Sequence, residues 1–176
     1  LFWSQNPQVL SSLQTLFNKD FSWDTLLARD LHPNLVVCNI NCRAVITDLL
    51  SWARKSITLQ TQYLTDPELF DIIAQKSKSL TFRAIFSDTE HNKKLPNYFW
   101  TWQVRLLTKP YVHTKMILVD DGILLLGSMN LSANSLDNNR EIWILLLDPA
   151  LISQFKEEFA QDWKLAAQPV SKKKRQ

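Results

Sequence analysis

The sequence predicts an α/β protein with a mixed β-sheet flanked by helices on both faces, in α/β/α layers. Segments with the apolar period of a strand alternate along the chain with segments that have the period of a helix. Apolar residues make up 45% of the 176 positions, which is enough for a buried core in one ordinary domain. No apolar run reaches the roughly 18 residues of a membrane span. The net charge of +3 is compatible with an anionic partner without requiring one.

The predicted elements follow one another along the chain. Strands are predicted at residues 35–40, 57–64, 80–86, 103–107, 114–120, 123–128 and 141–147, and helices at residues 44–56, 65–78 and 149–167. The second of these helices should begin with a Thr65-x-x-Glu68 capping box and carry Pro67 in its first turn. Residues 87–97 should form a polar loop. Asp121-Gly122 between two apolar runs predicts a hairpin turn.

Residues 7–21 resemble residues 149–163 without a gap. The clearest matches are Pro7 with Pro149, Ser11 with Ser153, Phe17 with Phe159, and Asp20 with Asp162. A chance match between two amphipathic helices is one explanation. The other is that residues 1–31 are the closing helix of a preceding repeat plus a linker, and that residues 32–168 form a complete second repeat. The start at Leu1 instead of Met also indicates that something upstream has been removed.

The remaining landmarks are cysteines and a basic tail. Cys38 and Cys42 have a poor spacing for zinc or for a disulfide framework, which predicts two ordinary buried or half-buried thiols. No His-Glu-x-x-His and no carboxylate cluster is present, so neither a metal nor a cofactor is expected. The tail at residues 169–176 is either a solvated terminus or a contact to phosphate or an anionic surface.

Polar residues concentrate at one end of the predicted hairpin. His113 and Lys115 are two apart and should share a face of the strand. Ser128 and Asn130 should share a face likewise, if the second strand stays extended that far. A histidine, an ammonium group and two small polar groups together suit a phosphate oxyanion.

Two further residues are expected to support this site. Asp120 lies seven positions after His113, so a regular strand turns it to the other face, where it would fix the turn or hold a backbone donor. Gly127 is expected at a close approach of the backbone to a neighbour. Taken singly, a lone histidine or lysine has an ordinary structural explanation. The joint spacing His-x-Lys-x4-Asp-x6-Gly-Ser-x-Asn is what indicates function.

This pattern resembles the HKD motif of the phospholipase D superfamily, carried by His113, Lys115, Asp120, Gly127, Ser128 and Asn130. The following segment, DNNREIWILLLDP, is similar to that of the family, with Glu141 at the position of its acidic residue. Residues 35–73 are similar to the opening of a family repeat, so the resemblance covers nearly the whole chain. In particular, the chain resembles the C-terminal half of a two-motif bacterial-type phospholipase D or cardiolipin synthase-like protein. Trp143 departs from the small residue common there.

The resemblance implies a mechanism that uses no metal. One histidine attacks phosphorus and forms a covalent phosphohistidine, and a second histidine, from a second HKD motif, protonates the leaving alcohol. Water or another alcohol then resolves the intermediate. Lysine and asparagine side chains would bind the phosphoryl oxygens, and Glu141 would orient a histidine by accepting its other ring proton.

One motif is not enough for this chemistry, because one imidazole cannot be both the attacking base and the acid in the same step. His32 precedes a proline in a linker and His91 lies in a polar loop, and neither is followed by a lysine two residues on. The second motif is therefore expected from an upstream half or from a twin subunit. The helix similarity favours the upstream half, which would make His113 the acid/base histidine.

Three functions are compatible with the sequence. The favoured one is a phosphodiesterase or phosphatidyl transferase acting on phospholipid, cytoplasmic or peripheral to a membrane surface. Phe99, Trp100 and Trp102 would then form an apolar wall, or else belong to the core. The second is a nuclease of the same superfamily, with Lys93, Lys94 and the tail along a phosphate backbone. The third is a non-catalytic half-site or binding module.

Overall fold

The computed structural model describes residues 6–99 and 103–168. Seven strands in this part form one sheet in the spatial order β1-β7-β6-β5-β2-β3-β4. The strands are β1 Leu35–Val37, β2 Ser56–Thr61, β3 Thr81–Ser87, β4 Val104–Leu107, β5 Lys115–Val119, β6 Ile123–Gly127 and β7 Ile142–Leu146. The helices are α1 Pro7–Ser22, α2 Cys42–Trp52, α3 Pro67–Lys76, α4 Ala133–Asp137 and α5 Pro149–Leu165.

The predicted fold class is confirmed. Strands β2, β3 and β4 pair in parallel, and the remaining neighbours pair antiparallel, so the sheet is mixed. Alternate strand residues point to opposite faces. On β5, Ile117 packs in the core that contains α2 and α3, whereas Leu118 packs in the core that contains α5. Each face of the sheet is thus covered by helices.

The predicted capping box of α3 is wrong. Asp66, not Thr65, is the N-cap, and its carboxylate accepts a hydrogen bond from the Leu69 N–H at 3.0 Å. Asp66 occupies this position because Pro67 begins the helix, while the Thr65 N–H is bonded to the carbonyl of Leu131.

Two other segments differ from the expected elements. The first strand ends at Val37 instead of residue 40 because the chain turns at Asn39, where φ is 61°. The polar loop over residues 87–97 contains a 3₁₀ helix at Asn92–Asn97.

The predicted hairpin turn joins β5 to β6. Asp120 and Asp121 have φ of 52° and 57°, and the Gly122 N–H donates to the Val119 carbonyl at 3.1 Å. The two aspartates, rather than the glycine, therefore take the left-handed conformation that this tight turn requires. Asparagine and aspartate tolerate that conformation better than most residues.

The prediction of two unpaired thiols is wrong, because Cys38 and Cys42 form a disulfide. The chain turns into α2 between them, which brings their Cα atoms to 4.6 Å and buries both side chains in one core. Their Sγ atoms lie 3.1 and 3.3 Å from Sδ of Met129. The disulfide therefore packs against Met129, the residue that precedes Asn130.

No helix within residues 6–99 and 103–168 combines the length and the apolar character needed to cross a membrane.

Candidate functional site

The predicted site residues other than Asp120 lie at the end of the sheet where β5 and β7 begin and β6 ends. Lys115 begins β5 and pairs with Thr61, and the β5–β6 register places it level with Gly127. Gly127 in turn pairs with Trp143 of β7. His113, Ser128 and Glu141, which flank these positions in sequence, consequently lie at the same end of the sheet. Asp120 lies at the opposite end of β5.

His113 and Lys115 form the centre of the site. His113 is exposed, whereas Lys115 is only 4% exposed. The Lys115 ammonium donates a hydrogen bond to the His113 carbonyl at 2.8 Å, which holds the histidine backbone in place. Burial lowers the pKa of Lys115, although the nearby Glu141 carboxylate and Tyr111 oppose this shift. An ammonium has three N–H donors, and two of them have no acceptor among residues 6–99 and 103–168, so they can bind an anionic ligand.

The expectation that the second strand stays extended as far as Asn130 is not met. Strand β6 ends at Gly127, and the ladder continues only through Ser128, whose N–H donates to the Ile142 carbonyl at 3.2 Å. Ser128 is exposed and Asn130 is half-buried. The Asn130 amide oxygen is buried and has no hydrogen-bond partner in the described part of the chain. The Asn130 side chain therefore has an unsatisfied acceptor among the described residues.

Glu141 lies just before β7. Its carboxylate accepts a hydrogen bond from the Asn139 amide at 3.1 Å, and its carbonyl accepts one from the Cys38 N–H at 2.9 Å. Among the described residues no hydrogen bond joins Glu141 to His113. Orientation of a histidine by Glu141 therefore stays a prediction, and in this structure its charge acts on Lys115.

Asp120 is fully engaged with the backbone. Its carboxylate accepts hydrogen bonds from the N–H groups of Arg54, Lys55 and Ser56 at 2.6–3.1 Å. Burial by itself would raise the pKa of Asp120, but these hydrogen bonds outweigh burial and hold the pKa below its ordinary value. This contact agrees with the expectation that Asp120 holds backbone donors. Its importance for activity stays a prediction.

Replacing Asp120 by asparagine is expected to destabilise the fold at neutral pH by about 1.5–3 kcal/mol, the value of hydrogen bonds to a charged acceptor. Because the folded pKa lies below the unfolded one, the stabilisation is complete above about pH 4 and is lost as the pH falls through the folded value. Urea unfolding of wild type and Asp120→Asn at several pH values should show the difference closing in acid. A difference that does not change with pH would contradict this assignment.

Gly127 lies under the indole of Trp143. A Cβ atom at this position would collide with the Trp143 ring and with the carbonyl of Ile142. Trp143 is fully buried, so the ring has no free space to move into. The large side chain that departs from the family pattern is therefore accommodated by the glycine of the motif.

Gly127→Ala is expected to lower the free energy of unfolding by about 1–3 kcal/mol, as overpacking of a filled core does. Gly122→Ala is the matched control, because a Cβ atom there would meet only the Asp120 carbonyl oxygen at 3.8 Å. The control should change stability by no more than about 0.5 kcal/mol. Equal losses of unfolding free energy in the two variants would show that the Gly127→Ala loss does not come from the contact with Trp143.

Sequence reasoning missed a polar group beside Lys115. Gln62 donates a hydrogen bond to the phenol of Tyr111. A hydrogen bond from Tyr63 lowers the pKa of Tyr111, with a smaller contribution from the charge of Lys115, and the same pair raises the pKa of Tyr63. Gln62 and Tyr63 follow Thr61 directly, so the pairing of Thr61 with Lys115 would have revealed them.

The other residues considered for the site have structural roles or lie outside the described residues. The Nδ1 of His32 accepts a hydrogen bond from the Asn34 N–H at 3.1 Å. Phe99 is buried beside Phe70 and Phe82. It is therefore a core residue and not part of an apolar wall at the site. Lys93 forms ion pairs with Asp88 and Glu90. Trp100, Trp102 and the tail at residues 169–176 lie outside the described residues.

Residues 46–163 match the family model described as cardiolipin synthase, PLD-like domain, and the chain therefore belongs to this family. The family is part of the phospholipase D superfamily, a class of phosphodiesterases and phospholipid-modifying enzymes.

Individual relatives agree with this membership. Cardiolipin synthase 1 of Bacillus cereus is 22% identical over 194 residues, which cover 89% of this chain and 38% of the relative. The chain thus spans well under half the length of this relative. The phospholipase D family member Nuc of Salmonella typhimurium has a TM-score of 0.65 at 19% identity, covering 77% of this chain and 97% of that one. Phosphatidylserine synthase of Haemophilus influenzae has a TM-score of 0.62 at 20% identity, covering 77% and 40%.

Proposed function

We propose that this chain is the half of a phospholipase D-type enzyme that carries one HKD motif, and that the enzyme cleaves or transfers phosphodiesters of phospholipids through a phosphohistidine. The bond from histidine nitrogen to phosphorus forms as the bond from phosphorus to the leaving alkoxide breaks. The alkoxide takes its proton from the second histidine. Water or an alcohol then gives its proton to the second histidine and displaces the first histidine from phosphorus.

The buried Lys115 ammonium carries this proposal. Lys115 is 4% exposed, and among the described residues its ammonium donates one hydrogen bond, to the His113 carbonyl, so its charge is costly to maintain without an anion. A phosphoryl oxygen would supply the missing acceptor and would sit beside the exposed His113 ring. The Asn130 side chain also has an NH2 group, which can donate a hydrogen bond to a phosphoryl oxygen. This geometry supports phosphoryl chemistry and does not distinguish a lipid from a nucleic acid.

The phospholipid substrate rests on the relatives. Two of the proteins to which this chain is similar are named for phospholipids, namely cardiolipin synthase and phosphatidylserine synthase. The nuclease alternative relied on Lys93, Lys94 and the tail, and Lys93 is already paired with two carboxylates. No described contact favours a phosphate backbone over a lipid headgroup, so the nuclease and the non-catalytic module become outcomes of the test.

The test uses the full-length polypeptide that contains this chain, with EDTA present. Three substrates are compared: bis(p-nitrophenyl) phosphate, vesicles of cardiolipin with phosphatidylcholine, and single-stranded DNA. Turnover of the first two, with alcohol added to detect transfer, is the expected result. Cleavage of DNA with the vesicles left intact would favour the nuclease. No turnover of any of the three would favour the non-catalytic module.

A further inference from the structure

Helix α1 has two apolar faces, and this domain covers only one of them. The covered face consists of Val9, Ser12 and Leu16, which are buried. Leu16 packs with Leu35 and Val37 of the edge strand β1. A helix that closed only this domain would need no second apolar face.

The uncovered face of α1 carries large apolar side chains. Leu10 is 48% exposed, Phe17 is 61% exposed and Phe21 is 79% exposed. Phe17 and Phe21 stack on each other with ring centroids 6.1 Å apart, so they form one continuous patch. We call Leu10, Phe17 and Phe21 the outer face of α1. Side chains of this size and spacing are usually buried.

The counterpart positions in α5 show what such a face contacts. Leu10 aligns with Ile152, Phe17 with Phe159, and Phe21 with Trp163. In α5 these residues pack on the sheet, where Ile152 is 6% exposed and Phe159 is 5% exposed.

The helix caps match in the same register. Asn6 accepts hydrogen bonds from the N–H groups of Gln8 and Val9, and Asp148 accepts them from Ala150 and Leu151. The similarity therefore extends beyond apolar spacing to the residue that begins each helix.

We infer that the outer face of α1 packs on the β-sheet of a preceding repeat of the same fold, upstream in the same polypeptide. Side chains at the α5 positions fit a sheet face, because that is what they cover in this domain. A second copy of this chain offers no such face, since α2 and α3 cover one side of its sheet and α5 covers the other. The chain also spans only 38% of the length of its Bacillus cereus relative.

This contact would set the upstream repeat beside the site. Asp20, near the end of α1, forms an ion pair with Arg140 at 2.9 Å. Arg140 also donates to the Asn39 side chain and directly precedes Glu141. The inference deepens the proposed function, on which it rests for the catalytic role of the repeat, by naming the surface that joins the two halves.

Hydroxyl-radical footprinting of the 176-residue chain and of the full-length polypeptide tests the inference. Phe17 and Phe21 should react in the chain alone and should lose reactivity in the full-length protein, down to the level of Phe155 and Phe159. Reactivity that is the same in both proteins would overturn the inference, as would a gene without a preceding repeat. Protection in the chain alone, through dimerisation or only on addition of anionic vesicles, would assign the outer face to another occupant and would also overturn it.

A variant pair gives a second measurement. Phe17→Ser with Phe21→Ser should lower the melting temperature of the full-length protein and leave that of the 176-residue chain unchanged. Gln14→Ser with Asn18→Ser is the control, because among the described residues the side chains of these exposed residues hydrogen-bond to each other and to no third residue. The readouts are structural, so protection of α1 without phosphodiester turnover would refute the proposed function while the inference stands.

Discussion

Replacing His113 by asparagine is expected to lower phosphodiester turnover of the full-length protein by about 10²- to 10⁴-fold, the contribution of a positioned proton-transfer group. Asparagine keeps a polar side chain of similar reach but cannot exchange a proton near neutral pH. The Lys115 hydrogen bond goes to the main-chain carbonyl of residue 113, so the substitution leaves that contact in place. The loss should appear in kcat with bis(p-nitrophenyl) phosphate in EDTA.

The matched control is His91→Asn. His91 is exposed, precedes the 3₁₀ helix at Asn92–Asn97 and makes no side-chain hydrogen bond with any described residue. Its replacement should leave turnover unchanged. Equal losses in the two variants, or full activity of His113→Asn, would remove His113 from the chemistry.

Replacing Arg43 by methionine is expected to have the largest effect on stability. Arg43 makes two hydrogen bonds to the buried carboxylate of Asp66 and two to Asp137, and it also pairs with Glu68. It thereby joins α2 to α3 and α4. The hydrogen bonds that Arg43 donates to these carboxylates hold the pKa of Arg43 above its ordinary value, and Arg43 lowers the pKa of Asp137.

The expected loss is about 3 kcal/mol, at the lower end of the range for a broken buried pair. Asp66 is 1% exposed and would remain as an unpaired charge, whereas Arg43 itself is 31% exposed and partly solvated. Chemical unfolding measures the loss. Glu68→Gln is the control and should cost no more than about 0.5 kcal/mol, because Glu68 is 50% exposed. A loss of stability for Arg43→Met as small as that of the control would show that water or other groups stabilise the Asp66 carboxylate when Arg43 is absent.

The sequence predicted those parts of the fold that depend on local pattern. Strand alternation and the Asp121-Gly122 signal located β5, β6 and their hairpin, and the odd step from His113 to Asp120 anticipated that Asp120 turns away from the site. Two of the predictions that failed depended on the residue at which a helix begins. Asp66 caps α3 in place of Thr65 because Pro67 begins that helix and Asp66 directly precedes it. The two thiols paired because the chain turns after Cys38 and enters α2 at Cys42.

The positions of the motif residues could be predicted from the sequence, whereas the side chains that lie beside them could not. His-x-Lys-x4-Asp is a local spacing, so the strand-end position of His113 and Lys115 followed from it. Gln62, Tyr63 and Tyr111 join the site only through the pairing of β2 with β5, which no local pattern reveals. The outer face of α1 was visible as a sequence similarity, but its exposure required coordinates.

The most direct measurement is the molar mass of the 176-residue chain by light scattering, combined with bis(p-nitrophenyl) phosphate turnover in EDTA. The same assay is run on the full-length protein and on its His113→Asn variant. A monomeric chain without turnover, beside a full-length protein whose turnover requires His113, is the predicted result. A dimeric chain with His113-dependent turnover of its own would contradict it, because one motif per chain would then suffice through a twin subunit.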